Sequence, residues 1–229
     1  MFSYAFMIVA FNILIGEITA LKNTPISTVT SKPDAVNPLR HSDYKLLSDK
    51  IVYSRWRSVI QRTIQLPSGE AVNFDIIDQR GTGAVLIFAW NSRTKTATLL
   101  REYNPAPCKI LYGPAAGLIE SKHGSDPLVA ARHELEEELH LKGGTWYPLN
   151  KKTVPMDKYV VTEINAYLVL DAEEVLDPRE RDAEEFIEIV KDLTVDDIKD
   201  LIVNGEMNLV GGWGCLMALE KLRELGEIE

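Results

Sequence analysis

Residues 126–141 read Asp126-Pro127-Leu128-Val129-Ala130-Ala131-Arg132-His133-Glu134-Leu135-Glu136-Glu137-Glu138-Leu139-His140-Leu141. Aspartate is a good N-cap and proline suits the first helical position. Leu128, Ala131, Leu135 and Leu139 recur at helical spacing and Gly143-Gly144 ends the run, which predicts an amphipathic helix over Leu128–Leu141. Glu134, Glu137 and Glu138 share one side of it, away from the Leu135 and Leu139 stripe. Like charges at this spacing cost about 0.2–0.5 kcal/mol per pair. Arg132 can offset Glu136, and His133 can offset Glu137, but Glu134 and Glu138 have no cation at those spacings within the helix. Converging carboxylates suit Mg²⁺ or Mn²⁺. Acidic helix faces are also common as plain solvated surface, so the spacing alone leaves both readings open.

Working outward, the sequence before this helix is strand-rich. Trp56 to Ile64 is dense in β-formers, Pro67-Ser68-Gly69-Glu70 is a turn, and Ala71 to Ile77 returns. Ala84 to Trp90 is continuously apolar, as a strand buried on both faces would be. Thr96 to Tyr103 follows a turn, and Ile110-Leu111-Tyr112 leads into Gly113-Pro114-Ala115-Ala116-Gly117. After the helix, Val160 to Leu170 and Glu185 to Val190 read as strands. Thr194 and Asp197 form a capping box for a helix to Val203, and Trp213 to Leu225 reads as a last helix. Strands dominate the first half and helices the tail, so the class is α+β.

The chain has 229 residues and is 45% hydrophobic, enough for a sizeable core. Its formal charge of −9 argues against nucleic acid as a partner, which needs clustered Lys and Arg. Cys108 and Cys215 are the only cysteines, too few for a disulfide framework or a zinc site. Phe2 to Gly16 is almost unbroken in apolar residues, shorter than the roughly 20 needed for a spanning helix. It matches the length of a signal-peptide core, with Ala20 as a small residue at a cleavage site, although no Lys or Arg precedes it. We therefore expect a targeting segment or a membrane contact there, with a buried strand or helix as the alternative. Absence of an N-x-[ST] sequon gives secretion no support. Leu21 to Tyr44, with Pro25, Pro33 and Pro38, reads as a linker. The expected organisation is residues 1–44 as apolar segment and linker, 45–80 as a small antiparallel β subdomain, and 81–229 as the main domain.

Gly117-Leu118-Ile119-Glu120 followed by Arg132-His133-Glu134-Leu135-Glu136-Glu137-Glu138 resembles the Nudix box. Arg101-Glu102-Tyr103-Asn104-Pro105 and Pro114 to Glu120 further resemble the ADP-ribose and ADP-sugar pyrophosphatase branch, and the coarse likeness spans about residues 50–225. The resemblance implies a Nudix-like α/β/α sandwich with a mixed central sheet. It also implies hydrolysis of the pyrophosphate bond of a nucleoside diphosphate sugar. Mg²⁺ or Mn²⁺ would be held by Glu134, Glu137, Glu138 and the Ala116 carbonyl. In that branch a late-loop glutamate is the base, which corresponds to Glu184 or Glu185. Trp56 and Phe74 stand where aromatics stack on the nucleobase, often across a homodimer. Arg101 and Glu102, with Arg80 as a weaker candidate, are expected at the substrate.

Three departures stand out. His133 replaces the arginine that orients the box glutamates, and Arg132 lies one position early, about 100° around the helix. His140 replaces the glycine that follows the helix, and the loop from Gly117 to His133 is two residues longer than the usual pattern. These changes bear on turnover more than on metal binding. A degenerate domain that binds nucleotide without cutting it is the competing expectation. A membrane-tethered scaffold with a structural acidic helix is a third.

Overall fold

A computed structural model describes residues 40–79, 83–180 and 186–229. The apolar segment, most of the linker, Arg80, Glu184 and Glu185 lie outside the described residues. The chain divides into two units, Met1–Tyr44 and Lys45–Glu229. Of the first, only residues 40–44 are described, with a short 3-10 turn at His41–Asp43.

The second unit is built on one large mixed sheet. Its first three strands, β1 (Lys45–Ser54), β2 (Ser58–Gln65) and β3 (Ala71–Asp78), pair antiparallel in sequence. Next come β4 (Ala84–Asn91), β5 (Thr96–Asn104), β6 (Lys109–Gly113) and β7 (Ala115–Leu118). Helix α1 (Pro127–Leu139) follows, then β8 (Leu141–Lys142), β9 (Thr145–Pro148), β10 (Val154–Asp157), β11 (Val160–Leu170) and β12 (Glu173–Glu174). Strand β13 (Ile187–Leu193), α2 (Val195–Val203) and α3 (Leu209–Glu224) complete the unit. Strand β11 lies parallel to β4 and β3, which joins the β1–β3 meander to the rest of the sheet.

Strand β4 is buried from Ala84 to Trp90, as its unbroken apolar run required, because helices cover both its faces. Val85, Ile87 and Ala89 pack with Leu135 and Leu139 of α1. Phe88 and Trp90 pack with Ile198 of α2 and Leu219 and Leu222 of α3. The α/β/α sandwich is therefore present. Helix α3 begins at Leu209, four residues before the sequence places it. Asn208 caps it by accepting from Gly211 N–H at 2.7 Å. Gly211, Gly212 and Gly214 hide this first turn from propensity. At Gly214 a Cβ would sit 2.4 Å from Leu86, so the glycine allows the close approach of helix to sheet. Trp56, expected within a strand, lies instead in the tight Arg55–Arg57 connection between β1 and β2, where Arg55 N–H donates to Arg57 O at 3.0 Å.

One feature of the sheet positions the candidate site. Strands β4 and β5 pair only at Ala89, Trp90 and Asn91. Beyond that they part. Strand β6 pairs with β5, β7 pairs with β4, and Pro114 alone separates β6 from β7. The chain thus crosses a fork in the sheet, and a proline serves there because the crossing residue has no ladder hydrogen bond to donate.

Candidate active site in the fork of the sheet

The fork opens into a cavity of about 580 Å³. Its walls include Ala84, Leu86, Leu100 and Glu102 from the parting strands, Ala116 and Gly117 from β7, and Asn208 to Gly211 from the start of α3. Arg57 reaches it from the β1–β2 connection and Gln79 from the end of β3.

Helix α1 is pressed against β7 beside this cavity. Asp126 caps it, accepting from Leu128 N–H at 2.9 Å, and Pro127 opens it as the sequence predicts. The helix ends at Leu139 because His140 turns left-handed, at φ 56°, and Gly143-Gly144 lie further on. Glu134 and Glu138 are buried at 8% and 4% exposure, which a solvated acidic face would not be. Glu138 accepts from the Ala116 N–H at 2.8 Å. Within an extended strand a residue's N–H and C=O face the same edge, so the Ala116 carbonyl also faces α1. Gly117 leaves room for Glu134: a Cβ there would lie 2.0 Å from its Oε1. Glu137 is half-buried on the same helix.

Among the described residues no cluster of three or more His, Cys, Asp or Glu side chains is drawn together tightly enough to hold a metal ion by itself. The donor chemistry still fits Mg²⁺. That ion is usually held by one or two carboxylates, with waters and substrate phosphates filling its octahedron. Glu134, Glu138 and the Ala116 carbonyl supply hard oxygen donors beside a cavity with room for phosphates.

His133 has a partner that the sequence gave no reason to single out. His123 ends a 3-10 turn at Ser121–His123, where its Nδ1 accepts the Glu120 N–H at 3.0 Å. It is 2% exposed, and its ring lies edge-on to that of His133, centroids 5.1 Å apart. Burial, then the charge of Lys122 and of His133, hold its pKa below the usual value. Lys122 pairs with Glu120 at 3.0 Å, and that contact raises its pKa, with Glu137 and Glu134 adding to the effect. The two extra residues of the loop were the available signal for this inserted turn.

Glu102, expected at the substrate, does line the cavity, and burial raises its pKa. Arg101 points to the opposite face, with Nη1 2.9 Å from Glu188 and its guanidinium 5.2 Å above the Tyr112 ring. Tyr112 borders the cavity, while Arg101 does not. Neither Trp56 nor Phe74 lines it. Trp56 is 83% exposed, and Phe74 pairs with Arg62 in the β2–β3 ladder. Arg57, Gln79 and Asn208 reach the cavity and were not singled out from sequence. They sit in connections, where period-based reading has no purchase.

The fold and the cleft together define an α/β/α sandwich with a forked mixed sheet and two carboxylates buried against β7, the strand that borders the fork. A solved structure described as an ADP compounds hydrolase is similar, with TM-score 0.67 and 21% identity over 81% of this chain and 97% of that one. That likeness establishes the shared fold. No family model matches the sequence, and no curated protein matches it.

Proposed function

We propose that this chain is a Nudix-type hydrolase that cleaves the pyrophosphate bond of a nucleoside diphosphate sugar, such as ADP-ribose or an ADP- or UDP-sugar. The products would be a nucleoside monophosphate and a sugar phosphate. One observation carries the reading: two glutamates of a single helix are buried against the backbone of Ala116 and Gly117, the β7 residues that line the fork cavity. Burying two carboxylates without a function is costly. The fold shared with an ADP compounds hydrolase supports the same reaction class.

Glu134 and Glu138, with Glu137 and the Ala116 carbonyl, would hold Mg²⁺ or Mn²⁺. Bound there, the metal would neutralise phosphate charge and acidify a water. The chain's own residues do the rest. Gly117 admits the Glu134 carboxylate, and the Ala116 N–H fixes Glu138. Arg57 at the cavity mouth offers a cation to the diphosphate. Glu102 faces the cavity, and burial raises its pKa above that of a free glutamate, so it is placed to hold or accept a proton. Glu184 and Glu185 remain proposed bases from the late loop and Arg80 a proposed anion contact, whereas Arg101 is turned away from the cavity onto Glu188. A homodimer is part of the proposal: β1 is exposed along its whole length and carries Leu46, Leu47, Ile51, Val52 and Tyr53.

The test is a panel of ADP-ribose, ADP-glucose and UDP-glucose with Mg²⁺ or Mn²⁺, read as monophosphate release. Release that requires metal and is abolished by Glu138→Gln supports the reading, and release without metal refutes it. A second reading, nucleotide binding without efficient turnover, is favoured by His133 packing on His123 in place of an arginine. Tight binding with no release in either metal would select it.

A further inference from the structure

We infer that the base of the nucleotide seats within the same chain, in an apolar groove between β10, β11 and the first turns of α3. The inference rests on the hydrolase reading only for the identity of the ligand. The groove encloses about 220 Å³, and its lining includes Pro155, Met156, Ile164, Leu209, Val210 and Trp213. Among the described residues no charged, amide or hydroxyl side chain lines it, and its one side-chain N–H donor is the Trp213 indole.

Three facts join it to the fork. Met156, Leu209 and Val210 border both the groove and the large cavity, so the two spaces adjoin. The spaces are also chemically divided. The fork is lined by Glu102, Arg57, Gln79 and Asn208, while the groove is apolar apart from the Trp213 indole N–H. A nucleoside diphosphate sugar is divided in the same way, with a charged diphosphate and a polar sugar at one end and a flat, weakly hydrated ring at the other. Finally, a site for a whole drug-sized ligand occupies about 300–1,000 Å³, a range the fork falls in and the groove does not reach. The groove therefore takes one moiety. Trp213 is half-buried at its wall and Met156 contributes a polarisable thioether, both suited to the face of an aromatic ring.

The sequence resemblance points to a different place for the base, at Trp56 and Phe74. Those residues do not border either space. The two placements differ in specificity. A groove whose one strong hydrogen-bonding side-chain group is the Trp213 indole N–H reads ring area more than the base edge, so ADP-ribose and its hypoxanthine counterpart should have KM values within about threefold, well short of the discrimination an edge-reading site achieves.

The experiment combines kinetics with tryptophan fluorescence. AMP should quench the protein, ribose 5-phosphate should not, and Trp213→Phe should remove the AMP response while Trp56→Phe keeps it. Base stacking is lost on substitution at a cost equivalent to about tenfold in affinity. Trp213→Ala should therefore raise KM for ADP-ribose by at least that factor. Leu209→Gln tests the same lip without risk to the fold, since Leu209 is 85% exposed, and should raise KM more than it lowers kcat. An AMP response that survives Trp213→Phe and disappears in Trp56→Phe overturns the inference, as does an unchanged KM in both groove variants. Failure of the hydrolase reading looks different: AMP would still quench through Trp213, but no nucleotide would be cleaved in either metal.

Discussion

Replacing Gly117 by alanine should separate stability from activity. The added methyl would lie 2.0 Å from Oε1 and 2.1 Å from Cδ of Glu134, whereas ordinary contact begins near 3.4 Å. The clash is with the end of a side chain and not with backbone. Glu134 can therefore withdraw by about 1.4 Å while α1 stays seated through Leu135 and Leu139. An off-rotamer side chain costs about 0.5–1.5 kcal/mol. Replacing glycine in a strand recovers about 0.5–1 kcal/mol. The net change in stability should therefore stay within about 1 kcal/mol, or a few degrees in Tm for a domain this size. A misplacement of about 1 Å among reacting groups costs on the order of 10²-fold in rate. Metal-dependent release of AMP from ADP-ribose, measured beside a thermal melt, should show a hundredfold loss in kcat with a nearly native Tm. Wild-type activity in Gly117→Ala would refute the placement of Glu134 at the reaction, and a collapse of Tm would refute the claim that the side chain yields.

Other outcomes follow from single residues. Burial raises the Glu102 pKa, so the folded state resists its ionisation, and Glu102→Gln should match the wild type below about pH 4.5 and exceed it in Tm increasingly as pH rises above that value. His123 behaves oppositely. Its lowered pKa means that stability present above pH 6.5 is lost as pH falls below it, and urea melts of His123→Gln should lose part of that acid sensitivity. His140→Gly should raise stability by about 1 kcal/mol, since a non-glycine residue at φ 56° is strained, and an unchanged or lower Tm would show that the histidine's own contacts outweigh the strain. Cys215 is buried, its pKa pushed up to about 12, whereas Cys108 is exposed, so a thiol reagent should modify one cysteine in the native protein and two in denaturant. Glutamate at both Ile51 and Tyr53 should convert a wild-type dimer to monomer in light scattering, and a monomeric wild type would remove β1 as an interface.

Where one face or both faces of an element are buried, its sequence announced it. The apolar run of β4, the Asp126-Pro127 start of α1 and the Thr194–Asp197 capping box each match the structure. The glutamate spacing also carried through, because a helix fixes which side chains share a face. What the sequence hid has a common cause. Gly211, Gly212 and Gly214 read as helix breakers, yet Gly214 belongs in α3 because Leu86 leaves no room for a Cβ. Arg57 and Asn208 reach the cavity from connections whose direction depends on strands distant in sequence. The ring pair of His123 and His133 spans a loop insertion that no periodicity describes. Arg101 matched a motif, but the alternation of β5 places it on the face of Glu188 and Tyr112, while Glu102 faces the cavity.

The fork in the sheet has a consequence for how the molecule breathes. On its helix side, β7 has no neighbouring strand at Ala116, and the backbone amide there is held by the carboxylate of Glu138. Amide exchange at Ala116 therefore reports the seating of a side chain, where exchange at Leu86 or Ile87 of β4 reports opening of the whole core. A ligand that fills the fork should slow exchange at Ala116 out of proportion to its effect on overall stability, so occupancy of the site would be legible in the protection of a single peptide group.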